Sequence, residues 1–184
     1  MKKMRIAAML AVMVTVLGFG YAAPKSDVAD VVTVFDPATY KGGAGEVVEI
    51  NGEKYLKVVT KEYGNRIYID PVSLKGKKTF SAVMFGEEAN PELNILLTIM
   101  DISDSETWRY ISLISTDTWE GGIPATPTVR RKGVATAKDY SGESWFKPSK
   151  SMLCTEFGVQ VQKPSDDYKE QYGVTVYIGK ITAF

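Results

Sequence analysis

From about residue 31 onward, apolar and polar positions alternate with a period of two, the period of a half-buried strand and not of a helix. Arg66–Asp70 reads Arg-Ile-Tyr-Ile-Asp: Ile67 and Ile69 fall on one face, Arg66, Tyr68 and Asp70 on the other, and Pro71 is expected to end the strand. Phe157–Gln162 sets Phe157, Val159 and Val161 against Gln160 and Gln162. Glu46–Ile50 and Lys54–Thr60 flank Asn51-Gly52, the strongest short hairpin signal. Lys78–Phe85, Thr107–Ser115, Val174–Ile178 and the terminal Ile-Thr-Ala-Phe also read as strands, as does Val31–Phe35. Leu93–Asp101 is apolar on both faces, as a central strand should be. The expectation is an all-β fold, an antiparallel β-sandwich of jelly-roll type with about nine or ten strands and with its first and last strands adjacent.

The alternation nominates a core of Val32, Val34, Val48, Leu56, Val58, Ile67, Ile69, Leu97, Ile99, Val159, Val161, Val174, Val176 and Ile178. Residues 117–127 and 138–151 read as irregular connections, and residues 164–172 as a loop.

The amino terminus breaks the pattern. Lys2, Lys3 and Arg5 precede the apolar run Ile6–Gly20, and Gly20-Tyr21-Ala22 supplies small residues where a signal peptidase reads them. Residues 1–22 are therefore expected to be a secretory signal peptide, with residues 23–184 forming one domain that is periplasmic or extracellular. No later apolar run approaches the roughly 18 residues of a membrane-spanning helix.

Composition removes several classes of function. The 184 residues contain no histidine and a single cysteine, Cys154. That excludes a Ser-His-Asp triad, a Cys-His dyad, a His-ligated zinc and an internal disulfide. Cys154 is expected as a small buried residue of a strand. The chain carries 22 basic and 22 acidic residues; without Lys2, Lys3 and Arg5 the balance is 19 against 22. A mildly acidic chain offers no footprint for nucleic acid. Arg130-Arg131-Lys132 is expected on a solvated strand edge, where charge discourages strand addition.

The ends of the chain resemble a known architecture. A strand ending in Phe35-Asp36, a Gly-rich turn followed by Glu46-Val-Val-Glu-Ile-Asn-Gly-Glu-Lys-Tyr-Leu-Lys-Val-Val59, and a last strand Val174-Thr-Val-Tyr-Ile-Gly-Lys-Ile181 resemble galactose-binding-like β-sandwich jelly rolls, the carbohydrate-binding modules of bacterial glycanases among them. The outline is also similar to spirochaete flagellar filament sheath proteins. The first resemblance implies a polysaccharide ligand and offers Asp36 to a structural calcium. In many such modules an aspartate stands in the last strand, where this chain has Lys180 after Tyr177-Ile178-Gly179, so no cofactor is expected. The second resemblance implies a structural subunit of the cell envelope or filament sheath that acts through protein contacts.

Sugars present C–H faces that stack on aromatic rings and hydroxyls that need planar polar partners, so a binding sheet interleaves the two outside its core. The residues placed to do so are Arg66, Tyr68 and Asp70 on one strand and Gln160 and Gln162 on another. Trp108 and Tyr110 join them if Ile111 and Leu113 are core; the alternative is that they are core and Arg109 faces out. Trp119 and Trp145 lie in connections, where an aromatic either serves recognition or closes the end of the sandwich. The sequence reading is a non-catalytic carbohydrate-binding module.

Overall fold

The computed structural model describes residues 30–62, 64–101, 109–112, 122–133, 140–141, 153–163 and 170–184. The predicted signal segment, residues 1–22, lies outside them.

Among the described residues there is no helix, and twelve strands form two six-stranded sheets. The first sheet runs β2 (Glu46–Ile50), β3 (Glu53–Val59), β12 (Thr175–Ala183), β5 (Thr79–Gly86), β8 (Thr128–Gly133), with β1 (Val32–Phe35) also paired to β12. The second runs β11 (Glu170–Gln171), β10 (Leu153–Gln162), β6 (Asn94–Asp101), β7 (Arg109–Ser112), β9 (Tyr140–Ser141), with β4 (Asn65–Ser73) also paired to β10. Every pairing is antiparallel, and the first and last strands are neighbours. Against the nine or ten strands expected, the additions are β8, which carries the basic run expected at a strand edge, and the two-residue strands β9 and β11, which fall in stretches read as connection and loop. The basic run Arg130-Arg131-Lys132 lies on β8, an edge strand, as expected.

The β2–β3 hairpin follows from its turn. Asn51 and Gly52 both take positive φ, 54° and 82°, the pairing that matches the right-handed twist of the flanking strands.

The two sheets enclose one apolar core. Leu56, Val58, Phe80, Met84, Val176 and Ile178 come from the first sheet, and Ile67, Ile95, Leu97, Ile99, Phe157, Val159 and Val161 from the second. The rings of Phe35 and Phe157 meet across the interface at 4.9 Å. Burying each such side chain is worth about 1.5–3 kcal/mol, and with no disulfide available this core holds the domain. Cys154 belongs to it, fully buried, its thiol donating to the Glu156 carbonyl at 3.3 Å.

Three expectations need correction. Pro71 does not end its strand. β4 continues to Ser73, because it is an edge strand and Pro71 sits where its register to β10 shifts, so the missing N–H costs no ladder bond. Val174–Ile178 and the terminal residues are not two strands but one, β12, with a register shift between Ile178 and Ile181. The shift lets Val176, Ile178, Ile181 and Ala183 all face the core despite the odd spacing. Val48 is not core: it packs on the opposite side of the first sheet, against Tyr55. Val32, Ile69 and Val174 are only partly buried, and the latter two pack against the core.

Candidate functional site

Among the described residues β4 forms an edge of the second sheet, and the segment that follows β1 crosses beside it. That segment, Asp36–Gly45, is anchored by Tyr40, whose ring meets Phe35 edge-on at 5.4 Å and whose hydroxyl accepts the Ala44 N–H at 3.3 Å. A Cβ at Gly42 would strike the Tyr40 ring, so a larger residue there must displace that ring. The chain then lies against β3, where a Cβ on Gly45 would come within 2.6 Å of the Lys57 carbonyl oxygen. The result is two clefts along β4, one on each side of this strap.

The larger cleft, about 830 Å³, lies between β1, the strap and the middle of β4. Tyr68 and Asp70 line it from β4; Thr33, Asp36, Thr39 and Tyr40 face them. Tyr68 is 62 % exposed, and among the described residues neither its hydroxyl nor the Asp70 carboxylate has a partner. Asp36 is engaged: one carboxylate oxygen accepts the Ala38 N–H at 2.9 Å and the other faces the Lys180 ammonium at 3.4 Å. Lys180 thus brings a positive charge to the carboxylate that the resemblance offers to a calcium.

The smaller cleft, about 520 Å³, lies between the strap, the end of β3 and the start of β4. Lys57, Lys61, Arg66 and Glu46 line it, Lys57 facing Glu87 and Arg66 facing Glu156. Asn65 fixes the β3–β4 turn by accepting the Lys61 N–H and donating to the Val59 carbonyl, both at 3.1 Å.

The structure thus joins some of the predicted residues and separates others. Tyr68 and Asp70 share a cleft, while Arg66 lines the other and pairs with Glu156 at 3.1 Å. Gln160 and Gln162 lie on β10, half-buried, 3.4 Å from each other. Gln160 and Gln162 stand four and six residues along β10 from Glu156, the partner of Tyr68, about 13 and about 20 Å away. Tyr110 lies on β7 opposite Met100, which pairs with Glu156: it is in the register row of Tyr68 but three strands away, about 14 Å. Trp108, Trp119 and Trp145 lie outside the described residues.

Sequence reasoning missed Tyr40, Thr33, Thr39, Lys57, Lys61 and Glu156. The first three reach the cleft only because β1 docks on β12, a pairing more than 140 residues apart in the chain. Glu156 alternates outward from Phe157, yet it is buried, and Arg66 balances its charge.

The outer face of the first sheet carries a different aromatic group. Tyr55, Phe85 and Tyr177 are all buried there, Phe85 stacked on Tyr177 at 4.8 Å and edge-on to Tyr55 at 5.0 Å. Tyr55 donates to Glu53 at 2.5 Å. Burial, reinforced by that hydrogen bond and the Glu53 charge, pushes the Tyr55 phenol up to about 12.

Comparison of the chain with protein-family models, with curated proteins and with solved structures finds no match.

Proposed function

We propose that residues 23–184 form an exported, non-catalytic glycan-binding module of jelly-roll type, which takes a polysaccharide in the cleft beside the middle of β4. The observation that carries this reading is Tyr68. A tyrosine ring 62 % exposed above a cleft, beside a carboxylate with no partner among the described residues, is what a sugar ring needs: an apolar face to stack on and an acceptor for hydroxyls. Tyr40, Thr33 and Thr39 add further hydroxyls on the opposite wall. The adjacency of β1 and β12 supports the jelly-roll reading, and the amino-terminal segment supports export. For a non-catalytic role, the supporting points are the absence of histidine and the state of the cleft's two aspartates. Glycoside hydrolysis generally uses a carboxyl pair, and here Asp36 is already bound to Lys180.

Affinity electrophoresis on soluble β-glucans and xylan tests the reading. Retardation is expected, weakened in Tyr68→Ala by roughly 1–3 kcal/mol, the range of an aromatic anchor. Assays for released reducing ends on the same glycans are expected to stay flat.

A second reading, a subunit of the cell envelope or filament sheath, draws on one observation: β4 and β8 are edge strands whose outer backbone a neighbouring protein would extend. It predicts a protein that migrates unretarded on every glycan and sediments as a concentration-dependent oligomer.

A further inference from the structure

The edge strand β4 is its own complement. From Arg66 to Asp70 it reads cation, isoleucine, tyrosine, isoleucine, anion. When the strand is laid antiparallel on a second copy and centred on Tyr68, Arg66 stands opposite the partner's Asp70, Ile67 opposite the partner's Ile69, and Tyr68 opposite the partner's Tyr68. The faces agree, because Arg66, Tyr68 and Asp70 alternate with Ile67, which is core, and Ile69, which packs against the core. Each row therefore sets charge against opposite charge or like side chain against like, the pairs that hold antiparallel strands together. β8, an edge of the first sheet, has no such match. Antiparallel self-pairing about Arg131 sets Arg130 against Lys132 and Arg131 against itself, like charges that repel.

We infer that β4 pairs antiparallel with β4 of a second copy of this chain, in a two-fold dimer that joins the second sheets of the two copies. Among the described residues β4 pairs with β10 alone, and Tyr68, Ile69 and Asp70 border a cleft of about 830 Å³. The strap joins β1 to β2, both in the first sheet, and so does not extend the second sheet at this edge. The charges of the pairing balance. Arg66 meets Glu156 through one terminal nitrogen while its side chain stays 40 % exposed. A guanidinium has five N–H donors, enough for a second carboxylate on its solvent side. With Asp36 matched by Lys180, each half of the interface sets Arg66 and Lys41 against Glu156 and Asp70. Such an interface is isologous and closes on itself. It is also small, so the dimer is reversible. Because it covers Tyr68 and Asp70, a second copy and a glycan compete for the same edge.

The register makes a sharp test, because Tyr68 alone opposes itself, with Cβ atoms about 4.5–5.5 Å apart and within reach of a disulfide. The intact protein carrying Tyr68→Cys is cross-linked under a mild oxidant; Cys154 is fully buried and does not compete. Tyr172→Cys, at a tyrosine 65 % exposed and away from this strand, is the control. The expected result is a disulfide-linked dimer that forms at least tenfold faster for Tyr68→Cys than for Tyr172→Cys. Adding Asp70→Arg should slow it at least tenfold, since a like charge then faces the partner's Arg66. Thermal melts check that every variant folds. Sedimentation of the wild type should show a concentration-dependent dimer that Asp70→Arg alone makes monomeric. Equal rates for the two cysteine variants, a rate that Asp70→Arg leaves unchanged, or a wild type that stays monomeric at millimolar concentration would overturn the inference. None of these outcomes bears on the glycan reading, which retention on glycans decides.

Discussion

Tyr55 and Tyr177 on the first sheet and Tyr68 on the second hold the same kind of position. Each alternates with core residues and points away from the main core, yet their surroundings are opposite. Tyr55 and Tyr177 close over Phe85 as a second apolar cluster, with Val48, Ile50 and Val83 around them. Tyr68 stands on an edge strand with its ring open and its hydroxyl unpartnered among the described residues. The first group is committed to stability; the second ring contributes little to the fold and is available to a ligand. An aromatic outside the core marks a binding site only when its neighbours leave it uncovered.

The contrast is broken most severely at Phe85. Phe85→Ala removes the ring shared by both tyrosines, and a loss of about 3–5 kcal/mol is expected in urea unfolding. A loss below about 1 kcal/mol would mean that the cluster is not structural. The next largest effect lies at the salt bridge beneath the candidate site. Arg66→Ala leaves the buried Glu156 carboxylate short of its cation, and because Arg66 is partly exposed the expected cost is about 1–3 kcal/mol, less than for a wholly buried pair. Adding Glu156→Gln should recover part of it in a double-mutant cycle, and additive losses would show that the pair is not coupled.

Tyr55 gives the contrast a pH signature. Its phenol titrates near 12 in the folded chain against about 10 in the unfolded one, so the folded state holds the proton more tightly. Its stabilising contribution is complete below about pH 10 and is lost as pH rises toward 12. Unfolding free energies from pH 9 to 12 are expected to fall less steeply in Tyr55→Phe than in wild type. The smallest effect on stability belongs to Tyr68→Ala, within about 0.5 kcal/mol by the same urea titration, as for other surface substitutions. A larger loss would place Tyr68 with the structural aromatics.

Much of the fold was legible because alternation writes strand faces directly into the sequence. Ile67, Leu97, Ile99, Val159 and Val161 are core as the period of two requires. Where the backbone departs from that period, the sequence misleads. The register shift near Gly179 makes two apparent strands one, and Pro71 survives in β4 only because of its place at an edge, a property of topology. The site was legible only in part for the same reason. Tyr68 and Asp70 share a face because they lie on one strand, but Thr33, Asp36 and Tyr40 join them through the β1–β12 pairing, distant in sequence. Likewise nothing local to Tyr55 says that Phe85 will cover it, so exposed and covered tyrosines look alike until the sheets are assembled.

On the proposed reading, a glycan binds at the open edge beside Tyr68 and not on the closed aromatic face of the first sheet. Amide chemical-shift mapping during titration with xylan or β-glucan oligosaccharides tests it most directly. The account predicts shifts that saturate and cluster at Thr33, Asp36, Thr39, Tyr40, Tyr68 and Asp70, with Tyr55, Phe85 and Tyr177 unmoved. Shifts confined to the Tyr55–Phe85–Tyr177 face, or no shift at millimolar oligosaccharide, would contradict it.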